Sequence, residues 1–315
     1  MSRLKTSILL GAAVILAVAI QASAADRYKG FERAEALITV QELKQLREAK
    51  DPKLVILGVV EPIFFGAGHI PGAVNIWRPD YELKVGEPYP FEGMILDRTQ
   101  FQDFARGLGI DNDSRVVVYD EKYDATSVWW AFFLYGKTDV RVLDGGYPAW
   151  KAAGYATESS LSGTRAARVG NFVARQHGAG WLASMEDVRR AQAASDVRVW
   201  DAREPAEWSG AEKKGNASRA GRIPWAAFQS WQEYRTKIDG KATAFKTAAE
   251  IQQIIDKFGM DRHQTHIFYC QSGVRSTTAL FALYLMGWSP ERLFNYEGSW
   301  LEWSYYNQNP LLTGP

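Results

Sequence analysis

The chain has 315 residues, with 37 Lys and Arg against 36 Asp and Glu and a formal net charge of +1. That balance supplies no cationic excess for nucleic acid or for an anionic membrane surface. One cysteine, Cys270, excludes an internal disulfide and leaves a single thiol whose purpose has to be found.

Residues 1–24 read as a cleaved secretory signal. Arg3 and Lys5 make a positive start, Ile8 to Ile20 is an apolar run, and Ala22-Ser23-Ala24 is a small-residue cleavage site. The run is shorter than the ~20 residues that cross a bilayer. The expectation is therefore a periplasmic or secreted protein, free of the membrane once cleaved, with enough chain left for two domains.

Val40 to Ala49 has helical periodicity, and Lys53 to Val60 is an apolar run typical of a strand buried on both faces. Gly68-His-Ile-Pro-Gly-Ala73 is a turn that leads into an extended segment ending at Ile76. Arg98 to Gly107 is amphipathic, Arg115 to Asp120 is a second strand, Ala125 to Tyr135 a helix and Val140 to Leu143 a third strand, punctuated by Gly145-Gly146. Strands alternating with helices predict an α/β fold, a mainly parallel sheet flanked by helices on both faces.

The second half repeats the first at an offset near 150 residues. Val197-Arg-Val-Trp-Asp-Ala-Arg-Glu-Pro205 answers Leu54 to Pro62, and Gly221-Arg-Ile-Pro-Trp-Ala226 answers Gly68 to Ala73. Thr265 to Cys270 answers Arg115 to Asp120, and Glu297-Gly-Ser-Trp-Leu-Glu-Trp303 answers Asp144 to Trp150. A duplicated α/β domain accounts for all four matches. The segment 157–180, rich in Ser, Gly, Ala and Arg, is the expected linker between copies at 30–156 and 181–312.

The copies differ at the end of the strand that carries Cys270. In the second copy that strand runs into Gln271 to Ser276 and then into a helix from Ser276 to Met286. Gly273 lets the loop curl, so that its amide groups form an anion nest at a helix N-terminus and favour a thiolate. Cys270 is the expected nucleophile. Gln271, Ser272, Gly273, Val274, Arg275 and Ser276 are the expected substrate-binding groups, with the charge of Arg275 facing the sulfur or a bound anion. Cysteine phosphatases place arginine six residues after the cysteine, whereas the interval here is five, which suits a smaller load such as a persulfide sulfur. The first copy has Asp120 at the matching position, no glycine in the following loop, and Gly58 and Val60 where the second has Asp201 and Arg203. It reads as an inactive partner whose surface walls the cleft.

Asp201 and Arg203 are expected to brace the loop from the neighbouring strand, with an ordinary ion pair as the other reading. Arg222 is placed to attract the donor, unless it is simply solvated. Trp225 and Trp300 fill core, or wall the persulfide. His266 lies four residues before Cys270 on one strand, about 13 Å away, so it and His263 read as structural.

With these motifs in this order, the chain resembles the tandem-domain rhodaneses, or thiosulfate sulfurtransferases, over residues 30 to 310. The resemblance implies two rhodanese-like domains, the first inactive and the second catalytic. It also implies a cysteine that takes sulfane sulfur from thiosulfate and passes it to a thiophilic acceptor such as cyanide or a thiol. Its partners would be a small anionic donor and that acceptor, with no metal or organic cofactor. Ser272 departs from the pattern, because thiosulfate enzymes often have a basic residue there and mercaptopyruvate enzymes a serine. Mercaptopyruvate enzymes, however, usually lack an arginine at the position of Arg275, which is expected to replace the missing charge. A 3-mercaptopyruvate sulfurtransferase, a non-catalytic sulfur or selenium carrier, and a phosphatase on the same fold stay open as alternatives.

Overall fold

The structure, a computed structural model, describes residues 27–86, 88–160, 168–175, 180–238 and 240–315. The expected signal at 1–24 and parts of the expected linker lie outside the described residues.

Five strands of the first half, Leu37–Ile38 (β1), Leu54–Val59 (β2), Val74–Ile76 (β3), Arg115–Tyr119 (β4) and Val140–Leu143 (β5), form a parallel sheet in the order β1-β5-β4-β2-β3. Val116, Val117 and Val118 have no exposed surface. Both faces of the sheet are covered, which is why the strand sequence is continuously apolar instead of alternating. The second half contributes Trp181–Ala183 (β6), Val197–Asp201 (β7), Ala227–Phe228 (β8), then an antiparallel hairpin of Arg235–Ile238 (β9) and Lys241–Phe245 (β10). It is completed by Thr265–Tyr269 (β11) and Leu293–Tyr296 (β12). The order β6-β12-β11-β7-β8 matches the first sheet strand for strand, and all pairs are parallel. The duplication and its fold class are thus present as expected. The β9–β10 hairpin, which has no equivalent among the described residues of the first half, was not foreseen.

The helices that follow β4 and β11, Ala125–Leu134 and Ser276–Leu285, are buried along their whole length except at Tyr284. They are mostly apolar on every face because each meets its own sheet on one side and the other helix on the opposite side. Thr126 Oγ1 lies 2.8 Å from Thr277 Oγ1, and the Trp129 and Phe281 rings meet edge-on at 4.5 Å. One apolar core consequently runs through both halves, joining Leu57, Val118 and Phe132 to Phe268 and Leu283. Where the expected linker is described, it is packed on the first half. His69 and Glu158 form a two-way backbone bridge, Arg168 pairs with Asp111, and buried Phe172 donates its N–H to Ile110 O at 3.1 Å.

Candidate active site

β11 lies between β7 and β12 and ends at Tyr269, so Cys270 leaves the sheet at the carboxyl edge, where open α/β sheets collect their ligands. Its strand end is fixed from β7. Tyr269 Oη donates to Asp201 Oδ2 at 2.5 Å, and the Asp201 carboxylate also accepts the Arg203 N–H at 3.0 Å and the guanidinium Nε and Nη2 at 2.9 and 2.6 Å. Arg203 Nη2 reaches Gly221 O at 2.8 Å, and its guanidinium lies 4.6 Å from the centre of the Trp300 ring. Asp201 and Arg203 are both buried, so brace and ion pair are one arrangement.

Cys270 is itself 1% exposed. Its N–H donates to Ser299 Oγ at 3.1 Å, and its carbonyl accepts the N–H of Trp300 at 3.0 Å. From Gln271 to Arg275 the backbone N–H groups donate to no protein acceptor among the described residues. Five free amides in a loop that opens a buried helix leave the donors that an anion nest of the kind expected from the sequence requires. Gly273 takes φ +74°, and a Cβ there would stand 2.7 Å from Glu297 O, so only glycine fits. Asn295, fully buried on β12, ties the loop from beneath. Its Nδ2 donates to Gly273 O at 2.9 Å, and its Oδ1 accepts Ser276 Oγ at 2.6 Å, while Ser276 Oγ is 3.6 Å from Cys270 Sγ. Asn295 and Ser299 were not singled out from the sequence. Ser299, at φ +50°, lay inside a motif that carries the repeat and the family resemblance, without a role of its own.

The charges fall differently from expectation. Arg275 lines the cleft beside Cys270, but its guanidinium is spent on Glu207, with Nη1 and Nη2 donating at 2.6 and 2.8 Å. Burial alone would depress Arg275, yet the Glu207 contacts hold it above the ordinary arginine range. Arg275 therefore props the loop through Glu207, while its charge still acts on Cys270 as expected. Arg222 is farther out of place. It stacks over Trp208 at 4.3 Å and donates to Gly314 O at 2.5 Å, so it fastens the C-terminal segment and does not line the cleft. Lys214, half exposed and 4.0 Å from Glu207, and Arg78 from the first half, paired with Asp124 at 2.6 Å, are the cleft's other cationic side chains. Neither was named from the sequence.

That cleft has a volume of about 130 Å³ and is lined by Cys270, Gln271, Arg275 and Lys214 together with Arg78 and Tyr123 of the first half. Tyr123 packs on Trp231 with ring centres 4.8 Å apart, in one apolar cluster with Ala202 and Cys270. The first half thus walls the cleft, and its own loop carries no thiol. Asp120, at the place of Cys270, turns inward to accept the Ala125 N–H at 2.6 Å, and burial pushes its carboxyl up to about 6. Behind the loop, Glu297 is buried at the junction of the halves. It accepts the Ile95 N–H, and burial pushes it up to about 8.

The remaining candidates lie away from the cleft. Trp225 donates to Val188 O, and Trp300 packs on Arg203. His266 Nδ1 accepts from Trp200 Nε1 at 2.9 Å, so Nε2 carries the proton it gives to Asp261 O at 2.8 Å. Burial also lowers the His266 pKa, and a neutral structural histidine results. His263 is exposed on a turn. Among the described residues, no group of three or more His, Cys, Asp or Glu is placed to hold a metal ion.

A model of the rhodanese-like domain matches residues 39–153 and 184–305. The putative thiosulfate sulfurtransferase SseA of Mycobacterium tuberculosis is 30% identical over 294 residues, which cover 90% of this chain and 93% of that protein. The sulfur carrier protein TtuD of Thermus thermophilus is 29% identical, over 90% of this chain and 99% of its own. The thiosulfate sulfurtransferase of Corynebacterium glutamicum is 31% identical, over 81% and 83%. Among solved structures, the anaerobic ergothioneine biosynthesis enzyme of Chlorobium limicola in complex with trimethyl histidine superposes with a TM-score of 0.77 at 22% identity. The match covers 90% of this chain and 72% of that one, a likeness of fold.

Proposed function

The chain belongs to the rhodanese family of sulfurtransferases and sulfur carriers, and on that premise we propose that it moves a sulfane sulfur from thiosulfate, through a persulfide on Cys270, to a thiophilic acceptor. The observation that carries this reading is the set of five free amides in the loop that follows a buried cysteine, beside a cleft with room for one small anion. Thiosulfate enters with its charge facing Lys214 and the loop N–H groups. The Cys270 thiolate attacks the outer sulfur, an S–S bond forms to Sγ, the bond between the two thiosulfate sulfurs breaks, and sulfite departs with the electron pair. The loop amides then hold the persulfide anion, a preorganised set of dipoles of the oxyanion-hole kind. The acceptor attacks the outer sulfur and Cys270 leaves as thiolate. The likeness to thiosulfate sulfurtransferases supports the choice of donor over 3-mercaptopyruvate.

Thiosulfate treatment of the full chain should add the mass of one sulfur atom, and Cys270→Ser should abolish the gain. Wild-type protein whose mass stays unchanged would overturn the proposal. A carrier reading is favoured by the similarity to the Thermus protein, and it predicts the same loaded Cys270 with almost no turnover on cyanide. Export rests on the pattern at residues 1–24 and is part of the proposal. Cell fractionation and N-terminal mass analysis should find a chain beginning after Ala24, and an uncleaved chain would refute it.

A further inference from the structure

The loops that leave β2, β3 and β4 frame a second cleft of about 510 Å³, which shares Arg78 and Tyr123 with the cleft of Cys270. It lies at the carboxyl edge of the first sheet, the counterpart of the place Cys270 occupies on the second. Lys241 reaches into it from the second half's hairpin. We propose that this cleft seats the sulfur acceptor, and that the acceptor is an organic thiol carrying both an ammonium and a carboxylate. The proposal rests on the sulfurtransferase reading and deepens it.

Size supports an organic occupant. The Cys270 cleft suits a small inorganic anion, whereas about 510 Å³ lies in the range of cavities that take organic ligands and far exceeds what cyanide needs. Charge selects the class. Arg78 pairs with Asp124 at 2.6 Å and Lys241 with Glu121 at 2.5 Å, so four of the six charged groups cancel. Lys122 and Glu61 remain, both exposed, neither in an ion pair among the described residues, one of each sign. A second inorganic anion gains no net attraction there. A zwitterion meets both charges, and the apolar faces of Trp77 and Phe64 accept its carbon frame. The shared wall of Arg78 and Tyr123 then leads its thiol toward Cys270. The acceptor thiolate, its proton released to solvent, attacks the outer persulfide sulfur. A new S–S bond forms, the bond to Sγ breaks, and Cys270 leaves as thiolate with no external oxidant.

The test uses the full chain loaded on Cys270 by either thiosulfate or inorganic polysulfide, with cysteinylglycine, 2-mercaptoethanol and cyanide as acceptors. Cysteinylglycine should give the higher kcat/KM of the two thiols. Lys122→Glu and Glu61→Lys, both on exposed side chains, should each lower the ratio of kcat/KM for cysteinylglycine to that for 2-mercaptoethanol by about five-fold. Trp77→Ala should lower both thiols relative to cyanide. If the two charge reversals leave the ratio at its wild-type value, the acceptor site is refuted. Absence of loading by thiosulfate, with polysulfide loading intact, would instead count against the donor assignment and leave the acceptor ratios readable.

Discussion

Gly273→Ala is the most direct probe of the sulfur loop, because its cost has two separable parts. The backbone there has φ +74°, and an L-residue in that conformation costs about 1–2 kcal/mol. The second part is steric. The new Cβ would stand 2.7 Å from Glu297 O, where ordinary contact begins at 3.4 Å, so the loop has to move by several tenths of an ångström. A displacement approaching 1 Å costs up to ~10²-fold in rate when reacting groups are held in line. Gly72→Ala supplies the control, since Gly72 has φ +79° and nothing within 4 Å of the added Cβ. Both variants should lose a few degrees of Tm through backbone strain, at ~2–4 °C per kcal/mol for a chain of this order of size. Gly273→Ala should in addition form the Cys270 persulfide ten- to a hundred-fold more slowly in single turnover with thiosulfate, by roughly the displacement effect above. Equal rates in the two variants would refute the assignment of the loop as a tightly fitted nest.

Four further outcomes are expected. Glu297 keeps its proton in the folded chain up to about pH 8 but ionises near 4.5 when unfolded, so the folded state binds more protons between those values and stability falls as pH rises through them. Glu297→Gln should flatten the slope of Tm against pH from 5 to 8, leaving a part due to Glu82, which burial pushes up to about 7; an unchanged slope would refute this. Asp201→Ala strands the buried Arg203 guanidinium and should cost about 3–5 kcal/mol in denaturant unfolding, and a loss within error would show the pair to be dispensable. Asn295→Ala leaves Gly273 O and Ser276 Oγ short of a partner, so it should destabilise by about 1–3 kcal/mol and slow persulfide formation. Lys214→Glu should raise the KM for thiosulfate about five-fold at low ionic strength, with the difference shrinking in salt; a salt-independent effect would point to misfolding of the loop instead.

Much of the fold was legible because its signals are local. The apolar runs of β2, β4 and β11 and the glycine-bearing turn after Cys270 each carry their meaning within a few residues, and the repeat doubled every such signal. What escaped detection depends on distant partners. Arg275 was assigned to the anion because nothing near it in the chain hints at Glu207, 68 positions upstream on a five-residue helix, Pro205–Ser209. Arg222 reads as exposed until the C-terminal carbonyls fold over it. Lys214 sits in an irregular segment and Arg78 opens a four-residue helix, Arg78–Tyr81, too short to show periodicity, and only tertiary packing brings them to the thiol.

The packing of Ala125–Leu134 against Ser276–Leu285 bears on how such a chain can change over evolutionary time. A half without the chain's one cysteine would ordinarily be free to erode or be lost. Here deletion of the first half would expose the buried, mostly apolar helix Ser276–Leu285 of the second. The thiol-free copy therefore stays tied to the thiol-bearing one through a shared interior, whatever further use the cell makes of it.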